Sequence, residues 1–171
     1  LPAMSGHGGR YAAFGPDGKL YISVGAPCNI CQSEGIEGTI IRMNADGSEL
    51  EIVAKGVRNS VGFDWSPNSG RLFFTDNGAD NMGDDIPPDE LNMVSRDGQH
   101  FGYPYLGGKS IRLTGFERIA SPADAVAPVI DFQAHTANLG IRFYQGNMSQ
   151  NEYRGDSFVA HHGSWNRPEQ A

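Results

Sequence analysis

A guanidinium, an amide and a run of carboxylates occur within one stretch of the chain, residues 57–92. Arg58 and Asn59 precede a predicted strand, and the loop after the next strand carries the acids Asp76, Asp80, Asp84, Asp85, Asp89 and Glu90. Arginine binds planar carboxylates through two parallel N–H donors, and asparagine supplies both a donor and an acceptor. Loops rich in oxygen ligands suit calcium, although this spacing does not match the EF-hand. The stretch favours an anionic, metal-bound ligand; a surface ion pair and solvated loop charge are the alternatives.

A histidine near one end of the chain and an aromatic-cationic segment near the other could complete such a site. His7 is flanked by Gly6, Gly8 and Gly9, and glycines on both sides let the backbone approach a ligand closely. A histidine in that setting suits a general base near neutral pH, and the alternative is a loop histidine that caps a neighbouring carbonyl. Residues 165–167, Trp-Asn-Arg, offer a stacking plane and a second guanidinium. We expect these groups to converge on one channel mouth.

Repeated hairpins are the elements that must position these groups. Two strand–turn–strand units are predicted, at 10–14 with 19–25 and at 62–65 with 71–75. The first turn is Gly-Pro-Asp-Gly, and Asp-Gly supplies the positive φ that a tight hairpin requires. The turn prolines, Pro16 and Pro67, are 51 positions apart, which matches one propeller blade of roughly 40–50 residues. The sequence therefore predicts an all-β fold of the β-propeller type.

Further predicted strands lie between and after these units. Residues 39–44 and 50–54 are predicted to form a hairpin around the turn 45–48, and residues 90–94 and 101–104 a hairpin around the turn 96–99. Residues 139–144 and 156–160 are predicted strands that start a further blade. Residues 105–134 show little alternation, which predicts a long inter-blade excursion. The chain then holds roughly three to three and a half blades in one domain, 1–171, whereas propellers close with about four to eight. We therefore expect an incomplete propeller, cut at both ends.

Composition excludes several classes of partner. With a formal net charge of −7 over 171 residues, the chain lacks the basic face that nucleic acids and anionic membranes attract. No apolar run is long enough to span a bilayer, so we expect a soluble chain without membrane insertion. Cys28 and Cys31 lack the following histidine of haem attachment and the second pair of a zinc site. A short loop disulfide in an oxidising compartment is the favoured interpretation, and two free thiols are the alternative.

Seven motifs follow one another along nearly the whole chain outside residues 105–130. In chain order they read SGHGGRYAAFGPDGKLYISVGAPCNIC, GTIIRMNADGS, KGVRNSVGFDW, LFFTDNGADNMGDDIPPDELN, GQHFGYPY, HTANLGIRFY and FVAHHGSWNR. This series closely resembles the glucose/sorbosone dehydrogenase family, and its sorbosone dehydrogenase branch most of all. The resemblance implies a soluble sugar dehydrogenase that depends on pyrroloquinoline quinone (PQQ) and is built on a six-bladed β-propeller.

The same resemblance implies a role for each matching residue. His7 matches the family's catalytic base, which takes the hydroxyl proton at the sugar's anomeric carbon while hydride passes to the quinone. Arg58 and Asn59 match the pair that contacts the quinone, where a cation stabilises charge developing on the reduced cofactor.

The resemblance also implies a metal site and a further cofactor contact. Gly78 and Ala79 match backbone that offers carbonyls to calcium (Ca2+), although glucose-oxidising members usually have Gly-Pro there and the insert that follows is longer here. Arg167 is a candidate for clamping the quinone's carboxylates.

The implied reaction is oxidation of an aldose or aldosone to the lactone or acid, with electrons passed to a cytochrome or quinone acceptor. The implied location is periplasmic or secreted. Two alternatives belong to other functional classes. One is a calcium-dependent, lactonase-like propeller whose carboxylates hold the metal without a redox cofactor. The other is a non-catalytic propeller that serves as a binding module.

Overall fold

Thirteen β-strands and one turn of 3-10 helix, Asn151–Tyr153, form the regular structure of the computed structural model, which describes residues 1, 6–148 and 151–167. The strands are β1 Ala12–Phe14, β2 Leu20–Val24, β3 Thr39–Met43, β4 Glu51–Lys55, β5 Gly62–Trp65, β6 Leu72–Asp76, β7 Glu90–Met93, β8 Gln99–His100, β9 Leu106–Gly107, β10 Ile111–Arg112, β11 Ile130–Asp131, β12 Asn138–Phe143 and β13 Ser157–His161. The all-β prediction is confirmed. Within the described ranges, no helix has the length and apolarity needed to cross a membrane.

The first sheet is an antiparallel meander of the kind that the hairpin pattern predicts. Strands β1 to β4 follow one another in chain order, and β8 adds to the outer edge of β4. Phe14 pairs with Leu20 across the first turn, and Leu20 pairs with Met43 on the next strand. The β1–β2 and β3–β4 pairings could be predicted because each pair of strands is joined by a short turn with its own sequence signal. Strands β2 and β3 are joined by the longer segment 25–38.

The second sheet has the order β11-β7-β6-β5 and corrects one predicted hairpin. The prediction that residues 101–104 return along residues 90–94 is wrong. Instead β8 runs parallel to β4, with His100 opposite Lys55, and the N–H of Phe101 donates to the Lys55 carbonyl at 2.8 Å. Strand β11 takes the outer place beside β7. The physical reason is burial, since Phe101 is 3% exposed and its ring lies 4.9 Å from that of Phe74.

An aromatic cluster joins the first two sheets. Phe63 is 1% exposed and its ring packs edge-on against Tyr11 at 4.8 Å and Trp65 at 5.6 Å. Edge-to-face pairs at these separations add to the free energy gained by burying the rings. The same core includes Ile40, Val53, Val57, Leu72 and Phe74. The two sheets are thus held face to face by large apolar side chains.

The β12–β13 hairpin is attached to the second sheet through polar groups as well as apolar ones. One carboxylate oxygen of buried Asp64 accepts the Phe143 N–H at 2.9 Å, and the other lies 3.3 Å from the Arg142 guanidinium. The Thr75 hydroxyl donates to the Leu139 carbonyl at 2.9 Å. Because buried polar groups cost free energy when they lack partners, these bonds fix how the hairpin docks.

We expect Phe63→Ala to lower the free energy of unfolding by about 3–5 kcal/mol, because it removes the ring at the centre of the inter-sheet cluster. Urea denaturation of the two proteins measures the difference. Phe14→Ala is the matched control: its ring is 60% exposed, so a change of only about 0.5 kcal/mol is expected. Equal losses in the two variants would contradict the packing described.

Candidate functional site

Loops from three sheets surround one cleft of about 200 Å³. They enter the first strand or leave the second strand of each sheet, and in an antiparallel hairpin these two points lie side by side. The polar residues that line the cleft are His7 from the first sheet, Arg58, Asn59, Asn77, Asp80 and Asp89 from the second, and His135, Trp165 and Asn166 from the β12–β13 sheet. The convergence predicted from the sequence is therefore present for His7 and the Arg58–Asn59 pair.

His7 is oriented by a backbone carbonyl. Its Nδ1 lies 2.9 Å from the Ala26 oxygen, and a carbonyl only accepts, so Nδ1 carries the proton and Nε2 keeps a lone pair. The Ala26 N–H in turn donates to the Arg58 carbonyl at 2.7 Å. A Cβ on Gly25 would lie 2.6 Å from the His7 Cβ, so only glycine lets the two loops approach this closely.

The environment keeps His7 neutral. Burial lowers the pKa of His7, and the positive charge of Arg58 lowers this pKa further. An imidazole that is neutral near pH 7 and has an unprotonated Nε2 suits a general base. The alternative interpretation, a histidine capping a carbonyl, is also realised, but through the other ring nitrogen.

Arg58 is buried, with only 4% of its side chain exposed, so the surface ion-pair alternative is wrong. Its Nε donates to the Asn29 carbonyl at 2.9 Å, and one NH2 hydrogen donates to the Asn29 Oδ1 at 2.8 Å. The second NH2 hydrogen donates to Asp80 at 2.8 Å, and NH1 donates to the Asn77 carbonyl at 3.2 Å. A guanidinium has five N–H donors, so one NH1 hydrogen is left without a partner among the described residues. Arg58 therefore offers a ligand one N–H and a charge, whereas the sequence suggested a two-donor fork.

The backbone of the Arg58–Asn59 pair is held by Asp76. One carboxylate oxygen accepts the Arg58 N–H at 2.8 Å and the other accepts the Asn59 N–H at 2.6 Å. The Asn59 carbonyl accepts the Asn77 N–H at 3.3 Å, and the Asn59 side chain lines the cleft. This carboxylate therefore fixes the pair beside the loop that follows β6.

The acids of the 76–90 stretch do separate structural tasks. Asp89 accepts the Gly78 N–H at 2.7 Å and the Ala137 N–H at 2.8 Å, and so ties two loops of the cleft together. Glu90 accepts the Gly108 N–H at 2.6 Å, whereas Asp84 and Asp85 are exposed. In the part of the chain that the structure describes, no three His, Cys, Asp or Glu side chains come close enough to hold a metal. The interpretation of this loop as solvated charge therefore holds for Asp84 and Asp85 but not for Asp89 and Glu90.

Burial raises the pKa of two of these carboxyl groups, those of Asp76 and Glu90. The pKa of Asp76 is raised by removal from water, despite the two N–H donors that it accepts. The pKa of Glu90 is raised by burial first and by the neighbouring Asp76 second. The two residues are directly opposite on β6 and β7, and like charges in that position repel.

Gly78 and Ala79 are tightly fitted into the loop beneath Arg58. A Cβ on Gly78 would meet the Pro88 carbonyl at 2.7 Å, so no other residue fits there without movement. Gly78 lines the cleft, whereas the Ala79 side chain is 1% exposed and packs with Ala26 and Tyr103. The backbone of this pair is therefore rigidly placed at the edge of the cleft.

Arg167 is not among the residues that line the cleft. Its NH1 donates to the Ala134 carbonyl at 3.3 Å, and its NH2 lies 3.6 Å from Asp85. The Nε of Arg167 is buried without a partner in the described part of the chain. The preceding residues, Trp165 and Asn166, do reach the cleft.

Two residues of the site were missed in the sequence. His135 is buried, has φ +62°, and its Nε2 lies 2.7 Å from the Gly83 carbonyl. It precedes β12 much as His7 precedes β1, and that common position is the signal that could have found it. Asn29 was overlooked because the CxxC pattern around it suggests redox or metal chemistry rather than a hydrogen-bonding role.

Two residues of the cleft lining carry buried acceptors without a hydrogen-bond partner in the described part of the chain. The Oδ1 atoms of Asn77 and Asn166 are buried without a partner in the described ranges, and both residues line the cleft with Arg58. Amide oxygens are hard ligands for calcium, and a guanidinium N–H pairs with carboxylate oxygen. The arrangement suits an anionic ligand accompanied by a cation.

Comparison with known proteins places these features in a family. A family model described as glucose/sorbosone dehydrogenase matches residues 2–163. An uncharacterized protein of Borreliella burgdorferi is 44% identical over 163 residues, which make up 94% of this chain and 43% of that protein. This chain therefore spans less than half of that curated relative.

Solved structures share the fold. The calcium structure of the Trichoderma reesei carbohydrate-active enzymes family AA12 matches with a TM-score of 0.80 at 18% identity, over 99% of this chain and 52% of that one. The PQQ-bound form of an aldose sugar dehydrogenase from Streptomyces coelicolor matches with a TM-score of 0.60 at 27% identity, over 81% of this chain and 40% of that one.

We expect the stability of the protein to fall between about pH 5 and pH 8, and Glu90→Gln to reduce that fall. Because burial raises the pKa of Glu90, the folded chain keeps a proton that the unfolded chain releases as the pH rises through this window. The amide removes this effect and retains an oxygen for the Gly108 N–H. Urea unfolding at pH 5 and pH 8 measures how much the free energy of unfolding changes with pH. Glu152→Gln, at an exposed position, is the control. Equal pH dependence in wild type and Glu90→Gln would contradict the effect of burying Glu90.

Proposed function

The chain belongs to the glucose/sorbosone dehydrogenase family, and on that basis we propose that the full-length protein is a sugar dehydrogenase dependent on PQQ and calcium. It oxidises an aldose, or an aldosone such as sorbosone, to the lactone or acid and delivers the electrons to a cytochrome or quinone acceptor. The observation that carries the proposal is the meeting of an unprotonated His7 Nε2 with the buried Arg58 cation in one cleft.

The proposal extends to the architecture of the whole protein, a six-bladed β-propeller of which this chain supplies roughly three to three and a half blades. The proposal is supported by a first sheet of four antiparallel strands with β8 added in parallel, a second sheet of four antiparallel strands, and the β12–β13 pair as the start of a third. The lengths of the solved structures also support it, because this chain covers only 52% and 40% of the two chains compared. Residues 105–134 form the excursion, which contains β9 and β10 and ends with β11, the outer strand of the second blade.

The residues of the cleft fit the two groups that the family implies. The Oδ1 of Asn77, next to Gly78, has no partner among the described residues and supports a calcium site in which the backbone of Gly78 and Ala79 would supply carbonyl oxygens. Arg58 and Asn59 would hold the quinone, and Arg167, whose Nε is buried without a partner among the described residues, is a further candidate to contact it. When bound, the quinone supplies a two-electron acceptor and calcium supplies a Lewis acid.

The chain's own residues perform the proton transfer. The Nε2 of His7 accepts the proton from the sugar hydroxyl, and the Ala26 carbonyl keeps hold of the Nδ1 proton and so stabilises the imidazolium that forms. The nearby Arg58 charge keeps the imidazole neutral before the reaction. The same charge stabilises negative charge that develops on a ligand in the cleft.

Reconstitution tests the proposal. Full-length protein should reduce a redox dye with an aldose only after both PQQ and calcium are added, and a scan of aldoses and aldosones then identifies the substrate. A protein that opens lactones with calcium alone would instead be a lactonase, although no carboxylate cluster in the described residues supports that function. A protein that does neither would be a binding module.

We also propose a periplasmic or secreted location. The disulfide between Cys28 and Cys31 supports it, because disulfides persist in oxidising compartments. Cell fractionation followed by an antibody against the protein tests this, and recovery solely from the cytosolic fraction would refute it.

We expect His7→Ala in the full-length protein to lower kcat by a factor of about 10²–10⁴, because it removes the proton acceptor, while the PQQ titration stays close to that of wild type. Stopped-flow dye reduction and a fluorescence titration measure the two quantities. His162→Ala, an exposed histidine outside the cleft, should change neither. Equal losses of turnover and PQQ affinity in His7→Ala would refute the base assignment.

Unlike His7→Ala, Arg58→Ala in the full-length protein should act on PQQ binding. We expect PQQ affinity to fall roughly 10- to 100-fold, because a charged hydrogen-bond donor is lost from the cleft. Calorimetric titration of the apo protein with PQQ in calcium measures this. Arg96→Ala, which removes a 66% exposed cation from a 3.8 Å ion pair, is the matched control, and an unchanged titration in Arg58→Ala would eliminate the role of Arg58.

A further inference from the structure

A four-residue loop closed by a disulfide lies directly beside the proposed cofactor cleft. Cys28 and Cys31 are joined, and the loop leaves β2 just after Ala26, whose carbonyl orients His7. Asn29 occupies the second position of this loop. The disulfide therefore constrains a residue that is within hydrogen-bond distance of the buried cation.

Asn29 contacts Arg58 through two different oxygens. Its main-chain carbonyl accepts the Nε hydrogen at 2.9 Å, and its side-chain Oδ1 accepts an NH2 hydrogen at 2.8 Å. These two donors lie on one edge of the guanidinium, so Asn29 binds that edge as a carboxylate would. With this edge occupied, NH1 is directed to the opposite side, where it meets the Asn77 carbonyl and the cleft.

The same amide also holds the acid that pairs with Arg58. Asn29 Oδ1 accepts the Asp80 N–H at 2.8 Å, and its Nδ2 donates to the Asp80 carbonyl at 2.9 Å. The Asp80 carboxylate then accepts from Arg58 at 2.8 Å and from the Asn166 amide at 3.1 Å. One side chain thus sets both the cation and its counter-ion.

The loop itself is held at both ends by one hydroxyl. The Tyr103 oxygen accepts the Cys31 N–H at 3.0 Å and donates to the Cys28 carbonyl at 3.3 Å. Tyr103 is only 4% exposed, so the anchor is itself fixed by packing. A short ring closed by a disulfide and bonded at both cysteines leaves Asn29 little freedom to move.

We propose that Asn29 is a positioning residue that aims the Arg58 guanidinium, and with it the remaining NH1 hydrogen, into the cleft, and that the Cys28–Cys31 disulfide holds Asn29 in place for this task. This inference rests on the proposed function, because the ligand that Arg58 meets is the carboxylated quinone. Asn29 does not line the cleft and acts through Arg58, directly and by way of its counter-ion Asp80.

The physical basis is preorganisation. An arginine side chain has several rotatable bonds, and a ligand that must order it loses affinity by the cost of that ordering. A guanidinium docked on Asn29 is ordered before the ligand arrives. Groups that orient a ligand-contacting residue in this way commonly change affinity by about 10- to 100-fold when removed.

The test is a double-mutant cycle on full-length apo protein, titrated with PQQ in calcium by calorimetry. Asn29→Ala should weaken PQQ binding about tenfold. In an Arg58→Ala background the same change should have an effect of less than about twofold, because the residue that Asn29 positions is no longer there. Gln32→Ala, which removes an amide directly after the disulfide loop whose partner is the Tyr105 hydroxyl at 3.1 Å, should change affinity by less than about twofold.

Losses of equal size in the two backgrounds would show a general structural role for Asn29 and overturn the proposal, as would wild-type affinity in Asn29→Ala. Failure of wild-type protein to bind PQQ would instead refute the proposed function, so the two failures are distinguishable.

A second variant tests the loop without altering Asn29. Cys28→Ser/Cys31→Ser opens the ring and retains all other side chains, and urea unfolding confirms that the protein is folded. We expect PQQ affinity to fall in the same direction as in Asn29→Ala and by a smaller factor. If this variant binds PQQ with wild-type affinity, the disulfide is not needed to hold Asn29 in place.

Discussion

The burial of one guanidinium constrains the whole of the candidate site. Moving a cation such as Arg58 out of water costs several kcal/mol, and the cost is offset only if acceptors surround it with good geometry. Those acceptors come from loops that are distant in the chain, Asn29 after β2 and Asn77 and Asp80 after β6. The loops must therefore meet at Arg58, and the cleft is the space that they enclose. His7 joins the same arrangement through Ala26.

Buried carboxylates extend this constraint from the loops to the sheets. Asp76 holds the backbone of the Arg58 pair, Asp89 connects the loop after β6 to the loop before β12, and Asp64 connects β5 to β12. Each accepts backbone N–H groups that the sheets leave unpaired at their ends. The raised pKa values of Asp76 and Glu90 indicate that burial of these charges opposes folding. The aromatic cluster between the sheets supplies stabilisation that offsets this cost.

Strand prediction succeeded where the interaction was local and failed where it was not. The β1–β2, β3–β4 and β5–β6 hairpins were predicted, because each joins neighbouring segments that alternate in hydrophobicity. The strands β12 and β13 were predicted as strands, without their pairing. Residues 101–104 were assigned to a hairpin with β7, but Gln99–His100 pairs with β4 and Ile130–Asp131 takes the place beside β7. Both pairings join segments that are far apart in the chain, and a turn signal carries no information about a partner at that separation.

The sequence by itself determined the class of fold, the family and the identity of the central groups. Period-two alternation, Asp-Gly turns and an ordered series of motifs are local properties, and they were sufficient to select His7, Arg58, Asn59 and Gly78. Only the tertiary structure decided what each group has left to offer a ligand. The sequence predicts that Arg58 offers a ligand two parallel N–H donors. In the structure, three other residues accept hydrogen bonds from four of its five N–H groups. The acids look like metal ligands in the sequence, yet Asp76, Asp89 and Glu90 bind backbone N–H groups. The physical reason is that the donors and acceptors of a residue are used by its neighbours in space. Those neighbours come from loops that are far apart in the chain.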